Sequence, residues 1–320
     1  MSRINDELIR ALKDKTPGKG NTVNLLMDIL SMGKEAAYRR LRGEIPFTLE
    51  EAAIISEKLN ISLDSLFEKT DNESFDFKLE ALFSKDPLRE YYKMINDIVS
   101  RIEQIADKDT DMVLHRAYRC MPTEFMFRYD SLTKIYIYIL FYQLYYADMS
   151  NDYLREMRIP QKLFDVQRRA ADVLQSVNTT LILDKHIFDD YIGIVKYFLN
   201  MGLIDERDVA KIKSDLLLML DDMEKSASTG YSKQGKAIDM YISQISFDAT
   251  YSYMEGAGIR SCSVTLFCID HLSCLNKEVT ENHRLWIKSL VRFSTQISVS
   301  GELQRNMYFS KQRHLVETML

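Results

Sequence analysis

Two groups of side chains in this sequence have the types and spacing to do chemistry. Lys34, Arg39, Arg40 and Arg42 place four cations within nine positions of the stretch SMGKEAAYRRLRGE, residues 31–44. Arginine offers a planar fork that can take guanine O6 and N7 together, and lysine and arginine neutralise phosphates, so the chemistry expected is capture of a polyanion. Cys262, Cys268, His271 and Cys274 form the second group, with ligands suited to zinc and thiols open to redox change. Their spacing, C-x5-C-x2-H-x2-C, is not one of the usual close zinc pairs. Strand-like alternation explains Cys262 and Cys268 as small apolar residues, so no metal is expected. The other histidines, His115, His186, His283 and His314, are scattered, and no Ser or Cys has a triad context. Lys19 stands beside Pro17, Gly18 and Gly20, but no strand precedes it and the order fits no phosphate loop. No dinucleotide fingerprint is present. The expectation is a protein that is not an enzyme and carries no cofactor.

Charge is distributed unevenly. Residues 1–45 hold nine Lys and Arg against six Asp and Glu, a net of +3 in a chain of net −5. Only the N-terminal end has the sign that suits a polyanion. With 46% apolar and 28% charged residues in 320 positions, the chain reads as globular, with room for two or three domains. The start, MSRINDELIR, is charged from its third residue, and four cysteines without an export signal suggest reduced thiols in a cytoplasm. The longest apolar run, IYIYILFYQLYYA (135–147), is interrupted by Gln143 and falls short of the ~20 residues that cross a bilayer. It reads as a buried helix, and no membrane is expected.

The elements that must position the basic cluster are short helices. Ile4, Leu8 and Leu12 recur every four residues through a helix over 3–14, which ends at KTPGKG. NTVNLLMDIL makes a second helix, with Asn21 or Thr22 as its expected N-cap. SMG turns the chain into a third helix, KEAAYRRLRG, which Gly43 closes in a left-handed cap. FTLEEAAIISEKLN opens on a Thr48–Glu51 capping box and carries Ala52, Ile55 and Leu59 on one stripe. A fifth helix is expected from Ser62.

The run from Leu26 through SMGKEAAYRRLRGE and FTLEEAAIISEKLNISLDSLF resembles the lambda-repressor-like, Xre-type helix-turn-helix family. Leu26, Leu30 and Met32 match its buried positions, Gly43 matches its closing Gly, and EKLNISLDSLF matches its final signature. The likeness covers roughly residues 5–69. The chain departs from the pattern at Met27, where a small Ala is usual, and at Ser31, where Gly is usual. The resemblance implies a third helix in the major groove, with Lys34, Glu35 and Arg39 toward base edges and Arg42 toward a phosphate. The candidate DNA-binding set is Thr22, Asn24, Lys34, Glu35, Tyr38, Arg39, Arg40 and Arg42.

Beyond a polar linker, TDNESFD (70–76), Leu88, Tyr91, Ile95, Ile98, Ile102 and Ile105 alternate in threes and fours. Such a helix serves either as a short dimerising coil or as a core helix. Residues 110–225 read as further helices, in which Tyr136, Tyr138, Tyr142, Tyr145 and Tyr146 are either core or pocket lining. After the break SASTGYSKQGK (226–236), the segments MYISQISF, TYSYMEG and IRSCSVTLFCI alternate as strands. Two helices come next, the first with Trp286, Leu290, Phe293 and Ile297 on a stripe. This tail is loosely similar to the C-terminal part of uncharacterised bacterial regulators that begin with the same motif.

The expected fold is mainly α: a five-helix lambda-repressor-like domain (1–70), an all-α middle region (71–230) and a small α+β C-terminal module (231–320). The expected function is a bacterial, cytoplasmic transcriptional regulator that binds double-stranded DNA as a homodimer. Some 250 further residues suggest a small-molecule or protein effector. The alternative is a protein-interaction or antitoxin-like module that uses the same fold without specific DNA binding.

Overall fold

The computed structural model describes residues 3–16, 19–59, 61, 63, 78–79, 86–145, 156–266 and 270–320. The expected fifth helix, the linker at 70–76, Cys268 and Tyr146 lie outside the described residues. The chain divides into two compact units, Met1–Ser74 and Phe75–Leu320.

In the first unit, α1 (Arg3–Lys15), α2 (Lys19–Leu30), α3 (Lys34–Leu41) and α4 (Leu49–Leu59) surround a core of Leu8, Leu12, Val23, Leu26, Ala37, Ile55 and Ile61. Helix α2 begins two residues before Asn21, so neither Asn21 nor Thr22 caps it. The Thr48 hydroxyl accepts from the Glu51 amide at 3.1 Å, and the Glu51 carboxylate accepts from the Thr48 amide at 2.8 Å. This is the expected capping box on α4. The Asn5 side chain, buried on α1, accepts from the Phe47 amide at 2.9 Å and ties α1 to the segment that leads into α4.

The second unit overturns the expectation of an all-α middle followed by a small α+β module. Its centre is a mixed sheet with, among the described residues, eight strands: β1 (Lys78–Leu79), β2 (Val113–Tyr118), β3 (Asn178–Asp184), β4 (Ile238–Ser243), β5 (Thr250–Gly256), β6 (Ile259–Leu266), β7 (Asp270–Cys274) and β8 (Ser294–Gln296). Their order is β1-β7-β6-β5-β2-β3-β4-β8, so the sheet takes strands from both sides of residue 230. Strands β2, β3 and β4 are parallel, and every other pairing is antiparallel. Parallel strands need long crossovers. Helices α6 (Thr123–Met126), α7 (Asp130–Tyr145) and α8 (Gln161–Leu174) connect β2 to β3, while α9 (Ile187–Asn200) and α10 (Glu206–Thr229) connect β3 to β4.

One face of the sheet presents Leu114, Leu181, Leu183, Met240 and Ile242 to a thick helical layer. Helices α5 (Pro87–Ala106), α7, α8, α9, α10 and α12 (Glu302–Met319) all contribute to that core. Helix α5 buries Tyr91, Met94, Ile95, Val99, Ile102 and Ile105 within its own chain and packs on α8, which settles its apolar stripe as core. Tyr136 and Tyr138 are buried, and the Tyr136 hydroxyl accepts from the Met121 amide at 2.9 Å.

The other face carries Ala117, Ile182 and Tyr253 beneath α11 (Lys277–Leu290), which contributes Ile287 and Leu290. The stripe expected on the first C-terminal helix differs from what is seen. Trp286 is 38% exposed and Phe293 54% exposed, because α11 ends at Leu290 and the chain passes through a short 3-10 turn into β8. Among the described residues, no helix is long and apolar enough to cross a membrane.

Candidate DNA-binding site

The turn between α2 and α3 is three residues long. Ser31 holds φ at 50°, the left-handed conformation that explains why glycine is usual there. Gly33 then opens α3 with an extended backbone, and its carbonyl accepts from the Ala37 amide at 3.1 Å. Ala37 is the buried residue of α3, packed in one core with Leu26 and Ile55. A methyl group lets α3 lie close on its neighbours; Leu41 packs on the same core and Arg40 is half-buried, while the other positions of this short helix turn outward. Gly43, with φ at 77°, closes the helix, and its amide donates to the Arg40 carbonyl at 3.0 Å.

The exposed surface of α3 and its exit carries Lys34, Glu35, Ala36, Tyr38, Arg39 and Arg42. Glu35 in the first turn and Arg39 and Arg40 in the last complement the helix dipole. Glu44 faces two of the arginines. Its carboxylate accepts from Arg42 Nε at 2.6 Å and lies 3.6 Å from Arg39 Nε. Arg42 also reaches Glu35 at 3.5 Å. Hydrogen bonding to Arg42 holds the Glu44 carboxyl below its ordinary pKa, and the same bond raises the Arg42 guanidinium. Both side chains are about half exposed, so these pairs contribute little to stability and leave the arginines free to exchange partners. Lys34 has no ion pair among the described residues.

Arg40 is placed differently. Its Nε and Nη2 meet Glu51 Oε2 and Oε1 at 3.0 and 2.9 Å, with side-chain exposures of 15% and 19%. Burial pushes the Glu51 carboxyl up, but the Arg40 bond, the Thr48 amide and the Arg40 charge outweigh it and hold the pKa below its ordinary value. Thr22 is also inside: it is 3% exposed, and its hydroxyl lies 2.7 Å from that of Thr16. Asn24 is exposed on α2. The structure thus brings Lys34, Glu35, Tyr38, Arg39 and Arg42 to one exposed helix, and places Thr22 and Arg40 in contacts between helices.

Sequence reasoning missed Glu44 as the counter-charge of Arg39 and Arg42. Its position two residues after Arg42, just beyond the helix-closing glycine, was the available signal. The capping box identified Glu51, but nothing in the spacing showed that the same carboxylate also holds Arg40.

Residues 2–115 match the BetR domain family. This is a helix-turn-helix family of DNA-binding regulator domains. The BetR match spans α1 to α4, runs on through α5 and ends inside β2, so it extends beyond the first compact unit. It gives this part of the chain a transcription-regulator-like character. No curated protein and no solved structure matches the chain.

The second unit has its own groove of about 620 Å³, at the turn between β5 and β6, lined by Asp109, Asp111, Glu255, Arg260 and Lys277 among others. The cysteine and histidine group expected as a possible ligand set is divided by the pleat. Cys262 and Cys274 lie on the face that α11 covers, and His271 lies on the opposite face, with its Nδ1 3.1 Å from the Thr265 hydroxyl.

Proposed function

We propose that this protein is a sequence-specific transcriptional regulator of the lambda-repressor-like type, acting in the cytoplasm on double-stranded DNA. The observation that carries the reading is the disposition of α3. Ala37 anchors it, α2 lies behind it, and Lys34, Tyr38, Arg39 and Arg42 project together from a segment within the BetR match. Lys34 and Arg39 read base edges with Glu35, Arg42 takes a phosphate, and Asn24 adds a contact from α2. Thr22 and Arg40 hold the reading helix in place rather than touching DNA.

The protein acts as a homodimer that reads two half-sites. The apolar stripe of α5 is occupied within its own chain, so the dimer contact belongs to another surface. The Phe75–Leu320 unit acts as the effector region and favours one arrangement of the dimer when a small molecule or protein binds it.

Selection of the purified protein on a random-duplex pool, beside the Arg39→Ala variant, tests this reading. A short, roughly palindromic motif enriched by the parent and lost by the variant is the expected result. The log–log salt slope should fall by about one on removal of a phosphate-bound cation such as Arg42. No enrichment at low salt would overturn the reading.

A further inference from the structure

One row of paired residues crosses four strands on the face beneath α11. His115 of β2 pairs with Tyr253 of β5, Tyr253 with Cys262 of β6, and Cys262 with Cys274 of β7. The last step sets two reduced cysteines directly opposite each other in an antiparallel ladder, each 4% exposed. Directly opposed residues hold their β-carbons about 4.5–5.5 Å apart on the same face, at the outer edge of the about 3.5–4.5 Å a disulfide spans, so a small closing of the two strands brings the sulfurs within bonding reach. We propose that Cys262 and Cys274 form a redox-active thiol pair, closed to a cross-strand disulfide by a hydroperoxide.

The two sulfurs are not equivalent. Cys274 ends β7 immediately before Leu275, which is 72% exposed. Its Sγ accepts from the Asn276 amide at 3.4 Å, and Asn276 is the N-cap of α11. Cys262 lies one strand further in, where burial pushes its thiol up to about 11 and the Cys274 sulfur adds to the shift. Cys274, at the strand end beside exposed Leu275, is therefore the thiol that reacts first, and Cys262 the thiol that resolves it.

The chemistry balances with one hydroperoxide. Cys274 sulfur attacks a peroxide oxygen, the O–O bond breaks, and the leaving oxygen takes up the Cys274 thiol proton to become water or an alcohol. Cys274 is left as a sulfenic acid. Cys262 sulfur then attacks Cys274 sulfur, the S–O bond breaks, and the hydroxyl departs as water with the Cys262 thiol proton. Two thiols are oxidised by two electrons, and the peroxide is reduced by two. The closed bond would staple β6 to β7, the strand that also pairs with β1, where the second unit begins. Cys120 is not a competing partner for this row, since it lies beyond the end of β2 with its Sγ 3.2 Å from the Thr250 hydroxyl.

Fully reduced full-length protein is treated with stoichiometric hydrogen peroxide, alkylated, digested and mapped by mass. The expected product is one linked peptide pair joining Cys262 to Cys274, reopened by dithiothreitol. A Cys120→Ser/Cys268→Ser variant, which leaves the row intact, should give the same link at the same rate. In Cys262→Ser the reaction should stop at a Cys274 sulfenic acid trapped by dimedone. A link through Cys120 or Cys268, or no loss of thiol in the double variant, would overturn the proposal. Direct conversion of Cys274 to sulfinic acid without a disulfide would overturn it too.

Discussion

Arg40 and Glu51 close a two-point ion pair between α3 and α4, with both contacts at 3.0 Å or less. Because Glu51 also caps α4 through Thr48, one carboxylate fixes both the start of α4 and the roll of the helix that carries Arg39 and Arg42. Four cations that look alike in sequence therefore separate into one that builds the domain and three that face outward.

Replacing Arg40 by alanine should destabilise the first unit by about 1–2 kcal/mol, the scale of a charge-assisted hydrogen-bond pair that is only partly exposed. Urea titration of the variant measures this, and an Arg40→Ala/Glu51→Gln cycle should return much of the effect as coupling between the two residues. Arg39→Ala should leave the urea midpoint nearly unchanged while abolishing motif selection.

Ser31 is exposed and holds a backbone conformation unfavourable to any side chain. Ser31→Gly removes that strain at the cost of greater freedom in the unfolded chain. The expected net gain is about 0.5–1 kcal/mol, read as a higher melting temperature of the first unit.

Gly301 should not tolerate a side chain. An added Cβ would lie 2.2 Å from the Gln296 carbonyl oxygen, a backbone atom that cannot swing aside. The same loop gives the Ile297 and Val299 carbonyls to buried Arg305 at 3.1 and 3.3 Å. Gly301→Ala should cost roughly 1–3 kcal/mol or more and lower the denaturant midpoint of the second unit, whereas Gly193→Ala, in open space in the same unit, should not lower that midpoint.

Acid should weaken the second unit through its histidines. Burial, with Lys288 and Arg284 adding, pushes His115 down to about 4 despite the opposing pull of Glu255. Burial, with Arg116 adding, does the same to His271. An unfolded histidine titrates near 6.5, so between about pH 6.5 and 4 the unfolded chain binds more protons than the folded one. Stability from this source is complete above that window and is lost as pH falls through it. Burial also lowers His283, so denaturant midpoints measured across the range should show uptake of about two to three protons on unfolding. His115→Gln and His271→Gln should each remove about one.

The first unit was legible because its signals are local. A T-x-x-E box, a closing glycine and fourfold apolar spacing lie within single helices, and α1, α3 and α4 form where they predict. The central strands were not legible. Buried on both faces, NTTLILD and VLHRAY lack the alternation that reveals a half-buried strand, and helical segments flank both. The strands after residue 236, one of whose faces is more polar, do alternate and are legible, though β7 and β8 are too short to stand out. At the site, exposure of α3 followed from the motif, but the roles of Arg40 and Thr22 did not. Each depends on a partner in another helix or beyond a turn, and only the folded chain brings those partners together.

The pairing of β2 with β5 sets a timetable for the newborn chain. Arg116 meets Ser252, a residue 136 positions later, through a direct side-chain hydrogen bond. At ordinary rates of translation that partner emerges on the order of 10 s after β2. The four described helices of the first unit close over contacts within some sixty residues, the kind of topology that folds in microseconds to milliseconds. Helix α3 is thus complete well before the sheet can assemble, and a ribosome-bound chain passes through a stage in which its N-terminal unit is native while the Phe75–Leu320 unit is still unfolded.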